Sequence, residues 1–183
     1  MTLEALYEDL KAAFGEAVRL PEMQQERQPE AQAPPAEGQQ PPAQPQQPQQ
    51  KREPVINVDA SRLREVCVFL KERGFSYLIG MTAVDFHERN AIELLYWPFS
   101  LGENVRLQVV CALPRDSPRA ESLTSVWRAA ELPEREVFDL FGVRFTGHPD
   151  LRRLFLDDDF EGHPLRKDWS AEFFLKKPEV GFR

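Results

Sequence analysis

The chain has 183 residues, enough for one domain plus a tail, and a net charge of −7 from 23 Lys and Arg against 30 Asp and Glu. That balance excludes a nucleic-acid partner, because a phosphate-binding surface needs concentrated Lys and Arg. No apolar run approaches the roughly 20 residues that cross a bilayer, and the N-terminus lacks the basic and apolar regions of a secretory signal.

Leu3, Leu6, Tyr7, Leu10 and Phe14 recur at helical spacing, with Gly15 placed to cap the helix. Ala17–Leu20 is strand-like, so residues 1–20 read as a helix and a short strand. From 21 to 54 Gln and Pro dominate, and almost nothing apolar is present to bury. This stretch reads as a disordered, partly polyproline insert, either a PxxP ligand or plain loop. As a loop it joins Ala17–Leu20 to a partner strand at Val55–Val58, since loop closure costs only about 0.6 kcal/mol per doubling of length.

The domain proper spans 55–145. After the strand at Val55–Val58, Asp59 or Ser61 is placed to cap a helix whose buried stripe is Leu63, Val66, Cys67 and Leu70 and which Gly74 ends. Tyr77–Phe86, Ala91–Phe99 and Val105–Leu113 are strand-like and joined by short turns, which favours antiparallel neighbours. A second helical stretch is expected around Arg119–Ala130, with Leu123, Val126 and Trp127 on one face. Pro133 opens a third helix, in which Glu134 and Glu136 complement the positive end, Val137, Phe138, Leu140 and Phe141 supply the apolar face, and Gly142 stops it. The fold class is therefore α+β: a mostly antiparallel sheet with helices packed on one face.

Residues 146–183 form an extended, irregular C-terminal tail, interrupted by Gly147, Pro149, Gly162, Pro164 and Pro178. It is nevertheless rich in large apolar residues, among them Leu154, Phe155, Phe160, Trp169, Phe173, Phe174, Leu175 and Phe182. Disordered tails lack such residues. The tail should be ordered by lying on something, its own domain or another chain. Cys67 and Cys111 form no CxxC pair, and two thiols cannot supply four cluster ligands, so both read as small buried hydrophobes in a reducing compartment.

Three blocks carry a specific resemblance. Glu134-Arg135-Glu136-Val137-Phe138-Asp139-Leu140-Phe141-Gly142-Val143 is followed by Arg144-Phe145-Thr146-Gly147-His148-Pro149-Asp150-Leu151-Arg152-Arg153, and then by Glu161-Gly162-His163-Pro164-Leu165-Arg166-Lys167-Asp168. In order and spacing they resemble the signature of the respiratory complex I 30-kDa subunit family, the C subunit of NADH-quinone oxidoreductase. Phe75–Asp85 and Ser122-Leu123-Thr124 with Trp127 resemble it more loosely. The likeness runs from about Val55 to Trp169. This chain departs from the family pattern in Glu131-Leu132-Pro133 before the signature, in the Gln/Pro insert, and in Trp169 where the family often has Tyr.

The resemblance implies a non-catalytic structural subunit in the peripheral arm of a proton-pumping NADH:quinone oxidoreductase, on the cytoplasmic side of the bacterial inner membrane. It implies a 49-kDa-type subunit (the D subunit) and other peripheral-arm subunits as partners, with no span of its own. It implies no cofactor in this chain, with FMN, iron–sulfur clusters and quinone in partner subunits. The signature and interface residues would be Glu134, Arg135, Glu136, Asp139, Phe141, Gly142, His148, Pro149, Arg153, Gly162, His163, Pro164, Arg166, Lys167, Asp168 and Trp169. Related membrane-bound hydrogenases and ferredoxin-linked complexes use equivalent scaffold subunits.

Other chemistry is conceivable on the residues alone. His148 and His163 could hold the metal of a hydrolase, but no third ligand stands at metal-site spacing, and turn histidines bonded to backbone are the plainer reading. Glu134, Glu136 and Asp139 could be acid/base carboxylates, while the i,i+4 spacing of Arg135 and Asp139 favours an ion pair. Asp157-Asp158-Asp159 lacks the pattern of a calcium loop and reads as a solvated acidic turn or a complement to a basic patch on a partner. Arg152, Arg153, Arg166 and Lys167 read as salt-bridge donors to neighbouring subunits.

Overall fold

A computed structural model of the chain describes residues 3–19 and 54–170. The Gln/Pro-rich stretch up to residue 53 and the aromatic anchors Phe173, Phe174, Leu175 and Phe182 lie outside the described residues. The first helix, α1, covers Leu3–Phe14 and buries Leu6 and Leu10 one turn apart. Gly15 follows at φ +56°, a conformation open to glycine without strain. β1 (Val18–Arg19) lies antiparallel to β2 (Val55–Val58), with Val18 opposite Val58 and Arg19 opposite Asn57.

Helix α2 spans Leu63–Glu72 and buries Leu63, Val66, Cys67 and Leu70 on one stripe. The expected side-chain cap from Asp59 or Ser61 is absent. A 3₁₀ turn over Ala60–Arg62 precedes the helix instead. Asp59 acts there through its backbone, donating to the Ala17 carbonyl at 3.0 Å and accepting from Arg62 at 2.9 Å. Phe14 meets Phe69 edge-on at 5.5 Å, which seats α1 on α2.

Strands β3 (Tyr77–Phe86) and β4 (Ala91–Ser100) form a long antiparallel hairpin, closed by a 3₁₀ turn at His87–Arg89 and Asn90 at φ +48°. The strand expected over Val105–Leu113 is interrupted: β5 is Val105–Arg106 and β6 is Gln108–Pro114. Register is unbroken across the gap, since Phe99 faces Arg106 and Tyr96 faces Val109. Pro98 is the cause. It has no N–H to give, so only half of its pairing with Leu107 forms, the Leu107 N–H donating to the Pro98 carbonyl at 3.0 Å. The main sheet runs β1-β2-β6-β4-β3, and only the β2–β6 pairing is parallel.

The helix expected around Arg119–Ala130 is not there. Arg119–Glu121 forms β7, which pairs in parallel with β8 (Arg144–Thr146). A single turn at Leu123–Trp127 and a 3₁₀ turn at Arg128–Ala130 follow. Leu123, Val126 and Trp127 are buried as their spacing suggested, but one turn suffices, and the Trp127 indole N–H donates to the Phe75 carbonyl at 2.9 Å. Helix α3 covers Glu131–Phe141, with Pro133 inside its first turn, where a missing N–H removes no helical bond. Gly142 ends it at φ +77°.

Alternate residues of β4, Ile92, Leu94 and Tyr96, point to one face, where they join Ala83, Val109 and Cys111 of neighbouring strands and the buried stripes of all three helices in one core. This is an α+β fold with a mostly antiparallel sheet. Among the described residues no helix is long and apolar enough to cross a membrane.

Candidate functional site

The signature helix α3 buries ionisable side chains that a core normally excludes. Glu134, Arg135 and Asp139 are all buried, with Glu134 and Asp139 at 0% exposure. Charges at such depth need hydrogen-bonded partners, and each has them.

Asp139 gathers the irregular segment. Its Oδ2 accepts backbone N–H groups from Leu154 at 3.0 Å, Phe155 at 2.8 Å and Leu156 at 3.0 Å, and its Oδ1 accepts from Arg153 at 2.9 Å. Burial pushes this carboxyl up, but the three N–H groups and Arg153 outweigh it and hold it below the ordinary aspartate value. The expected Arg135–Asp139 pair does not form. Arg135 reaches instead to the carbonyls of Arg152 at 3.2 Å and Arg153 at 3.0 Å.

Glu134 faces the other way. Its Oε2 accepts the Ser122 hydroxyl at 2.6 Å and its Oε1 the Leu123 N–H at 2.7 Å. Here burial wins over those two hydrogen bonds and raises the carboxyl. These bonds hold the start of the Leu123–Trp127 turn against α3. Glu136, between these two on the helix, is exposed.

The two histidines sit at opposite ends of α3. His148 lies at the N-terminal end, its Nε2–H donating to the Glu131 carbonyl at 3.0 Å and its Nδ1 accepting the Asp150 N–H at 3.0 Å. These bonds fix one neutral tautomer. His163 lies at the C-terminal end, donating from Nδ1 to the Asp139 carbonyl at 2.9 Å. Eight residues of helix separate the two carbonyls, about 12 Å of axial rise, so the rings cannot share one metal ion. Burial holds the His163 ring below the ordinary histidine value.

The close approach of His163 requires Gly142. A Cβ there would lie 2.5 Å from the imidazole. Arg166 donates to the Phe141 carbonyl at 2.7 Å, and the Leu165 N–H to the Leu140 carbonyl at 3.1 Å. The last turn of α3 thus has its free carbonyls bonded by the segment folded back over it. Gly162 is crowded in the same way, with a Cβ there 2.7 Å from the Trp169 ring. That ring stacks on Phe160 and donates to the Glu161 carbonyl at 3.2 Å. Pro149 and Pro164, each after a histidine, lie in the same irregular turns.

Two further residues belong to this arrangement and were not singled out as a site from the sequence. Asp85 takes a bidentate Arg115, 2.7 Å at Oδ1 and 2.9 Å at Oδ2, and its Oδ2 also accepts the Lys167 N–H at 2.7 Å. Arg115 simultaneously donates to Asp168, at 3.1 Å for the longer bond. The guanidinium holds both carboxyls below their ordinary values, and in Asp85 it overcomes burial. A signal existed: Asp85 continues the inward alternation of Met81 and Ala83, where a carboxylate cannot sit unpartnered.

Of the expected interface cations, Arg153 and Arg166 turn inward, whereas Arg152 pairs with Asp150 on the surface at 2.9 Å. Asp157, Asp158 and Asp159 are exposed. Both cysteines are buried and free, and burial pushes the Cys111 thiol up to about 12. Glu134, Asp139 and Asp85 therefore hold together parts of the chain that are distant in sequence.

Comparison with known proteins gives the family. The family model described as respiratory-chain NADH dehydrogenase, 30 kDa subunit, matches residues 56–174. The NADH-quinone oxidoreductase C subunit of Moorella thermoacetica is 47% identical over 120 residues, covering 65% of this chain and 81% of the relative. The F(420)H(2) dehydrogenase C subunit of Methanosarcina mazei is 41% identical over 116 residues, covering 62% and 73%. The solved trypsin-resistant fragment (1-134) of Nqo5 is 31% identical with a TM-score of 0.50, covering 53% of this chain and 81% of that one. The chain belongs to the family of the respiratory-chain NADH dehydrogenase 30 kDa subunit.

Proposed function

We propose that this chain is a non-catalytic structural subunit of the peripheral arm of a proton-pumping NADH:quinone oxidoreductase, docked on the 49-kDa-type subunit at the cytoplasmic side of the bacterial inner membrane. The observation that carries the reading is the use made of the signature carboxylates. Asp139 accepts four donors from its own chain, and Asp85 and Glu134 are likewise bonded internally. An acid/base catalyst needs a lone pair aimed at a substrate. These oxygens are aimed at groups of their own chain.

Among the charged groups that α3 and its overlying segment leave outward stand three large apolar side chains. Leu132 is 57% exposed, Phe155 65% and Leu165 50%. Exposed Leu and Phe of this kind suit the anchors of a subunit interface. In this reading FMN, iron–sulfur clusters and quinone belong to neighbouring subunits, and this chain supports electron transfer from NADH to quinone by holding the quinone-site subunit in place. The same scaffold role fits a related complex with another electron donor, a reading favoured by the similarity to the Methanosarcina mazei F(420)H(2) dehydrogenase protein.

The test is truncation after Asp168 combined with Leu132→Asp and Leu165→Asp. The purified chain should keep its cooperative melting transition, while the yield of copurified 49-kDa-type subunit should fall at least fivefold. An unchanged yield contradicts an interface at α3 and the tail.

A further inference from the structure

Three consecutive residues near the C-terminal end are each held by a different part of the fold. The Lys167 N–H donates to Asp85 Oδ2 at 2.7 Å, the Asp168 carboxylate accepts from Arg115, and the Trp169 ring stacks on Phe160 with centroids 5.7 Å apart. One point of attachment would let the chain swing. Three fix both its place and its heading.

Arg115 is the rigid part of this arrangement. It follows β6 directly, and its own N–H donates at 3.1 Å to the carbonyl of Asn90, at the end of the β3–β4 turn. Its Nε and Nη2 donate to the two oxygens of Asp85 at 2.7 and 2.9 Å. Nη1 donates to Asp168 Oδ2 at 3.1 Å, and Nη2 also reaches Asp168 Oδ1. A planar guanidinium serves two carboxylates on two edges in this way, and a compact ammonium does not.

The two carboxylates are unequal. The Asp85 side chain is fully buried, and its pairing with Arg115 is neutral and complete in itself. The Asp168 side chain is 49% exposed. Releasing Asp168 therefore strands no buried charge, because Arg115 keeps Asp85. What the second pair governs is the course of the chain that follows. Arg115 is itself buried, so it acts on anything outside the domain through Asp168.

We propose that Arg115 is a positioning residue for subunit docking: by holding Asp168 it sets the heading with which the chain after Trp169 meets the neighbouring subunit. The inference rests on the scaffold reading above, in which that segment is part of the interface. It gives a role to a residue outside the three signature blocks.

A double-mutant cycle in the assembled complex tests it. Arg115→Lys keeps a charge beside Asp85 but lacks the second edge, and Asp168→Asn leaves the Asp85–Arg115 pair whole. Each should keep a cooperative melting transition and lower the yield of copurified 49-kDa-type subunit about fivefold. The double variant should lose no more than either single one, since both break the same contact. Asp168→Glu, which retains the carboxylate, should recover most of the yield. Spin labels on Glu88→Cys and Ser170→Cys, both exposed sites in a chain whose own thiols are buried, should give a narrow distance distribution that Asp168→Asn broadens. That measurement decides the matter if Arg115→Lys does not fold. A loss with Asp168→Asn but none with a folded Arg115→Lys, losses that add in the double variant, full yield from both single variants, or no broadening, overturns this inference alone. If truncation after Asp168 with Leu132→Asp and Leu165→Asp also leaves the yield unchanged, the scaffold reading falls as well.

Discussion

Asp139 accepts the backbone N–H of Phe155 at 2.8 Å, tying the middle of the signature helix to a residue sixteen positions further along the chain. Leu154 and Leu156 donate to the same oxygen. Three consecutive backbone groups in an irregular segment thus depend on one side chain.

Asp139→Ala should therefore destabilise the domain by about 3 kcal/mol, because buried donors lose a charged acceptor. Asp139→Asn keeps one oxygen for the backbone and should lose roughly half as much. Urea unfolding with an unchanged slope measures both, and amide exchange at 154–156 should quicken selectively in the alanine variant. Equal protection in wild type and Asp139→Ala would show that the segment is ordered by something else.

Glu134 carries the opposite electrostatic sign. Its carboxyl is raised in the folded state, so its contribution is fully present below the ordinary glutamate value and is lost as pH rises through the folded value. Glu134→Gln can accept from Leu123 and donate to Ser122, whose hydroxyl can turn to Thr124 at 2.8 Å. The glutamine variant should match or exceed wild-type stability at pH 7, whereas Glu134→Ala should lose about 2 kcal/mol. Thermal melts of the three proteins at pH 5 and pH 7 compare them directly.

Tyr96 is buried in the core with a hydroxyl that has no hydrogen-bond partner among the described residues. Tyr96→Phe removes that oxygen from the interior and should raise stability by about 1 kcal/mol. A lower urea midpoint would mean that the hydroxyl is bonded.

The pH dependence has two windows. His163 is lowered in the folded state, so its stabilising contribution is complete above about 6.5, its ordinary unfolded value, and is lost as pH falls from there through the folded value. Asp85, Asp139 and Asp168 are also lowered, and their contribution is lost only as pH falls below about 4. In the Glu134→Gln background, which removes the opposing glutamate contribution, melting temperature followed from pH 8 to pH 3 should fall in two steps, and adding His163→Asn, which can still donate to the Asp139 carbonyl, should abolish the upper one.

The strand alternation, the α2 stripe and the stop at Gly142 were legible because each depends on local periodicity or on one residue's backbone freedom. The segment 119–130 was not. Its Leu123, Val126 and Trp127 have helical spacing, but β8 claims Arg119–Glu121, and that competitor comes from later in the chain. The signature residues were identifiable by type and order, while their direction was not. Arg135 and Asp139 read locally as an i,i+4 pair, and only the fold shows that each prefers the backbone or the arginine of residues 152–156. Arg153 and Arg166, expected to face other subunits, are drawn inward by carboxylate and carbonyl groups at α3.

Residues 24–50 are expected to contribute little to assembly. The family match begins beyond them, and the described ends of β1 and β2 pair in any case. Deleting 24–50 should leave NADH:quinone activity of the complex within about twofold of wild type, a window far narrower than the tenfold that 1.4 kcal/mol would produce. A large loss would make the stretch a docking element.

On the proposed reading this domain works as a held-together scaffold within a larger quinone-reducing assembly. Mild-detergent purification of the tagged full-length chain, with mass-spectrometric identification of what accompanies it, tests this most directly. The predicted result is near-stoichiometric recovery of a 49-kDa-type subunit together with flavin- and cluster-bearing subunits, reduced at least fivefold by Leu132→Asp with Leu165→Asp. A chain that purifies alone would contradict it.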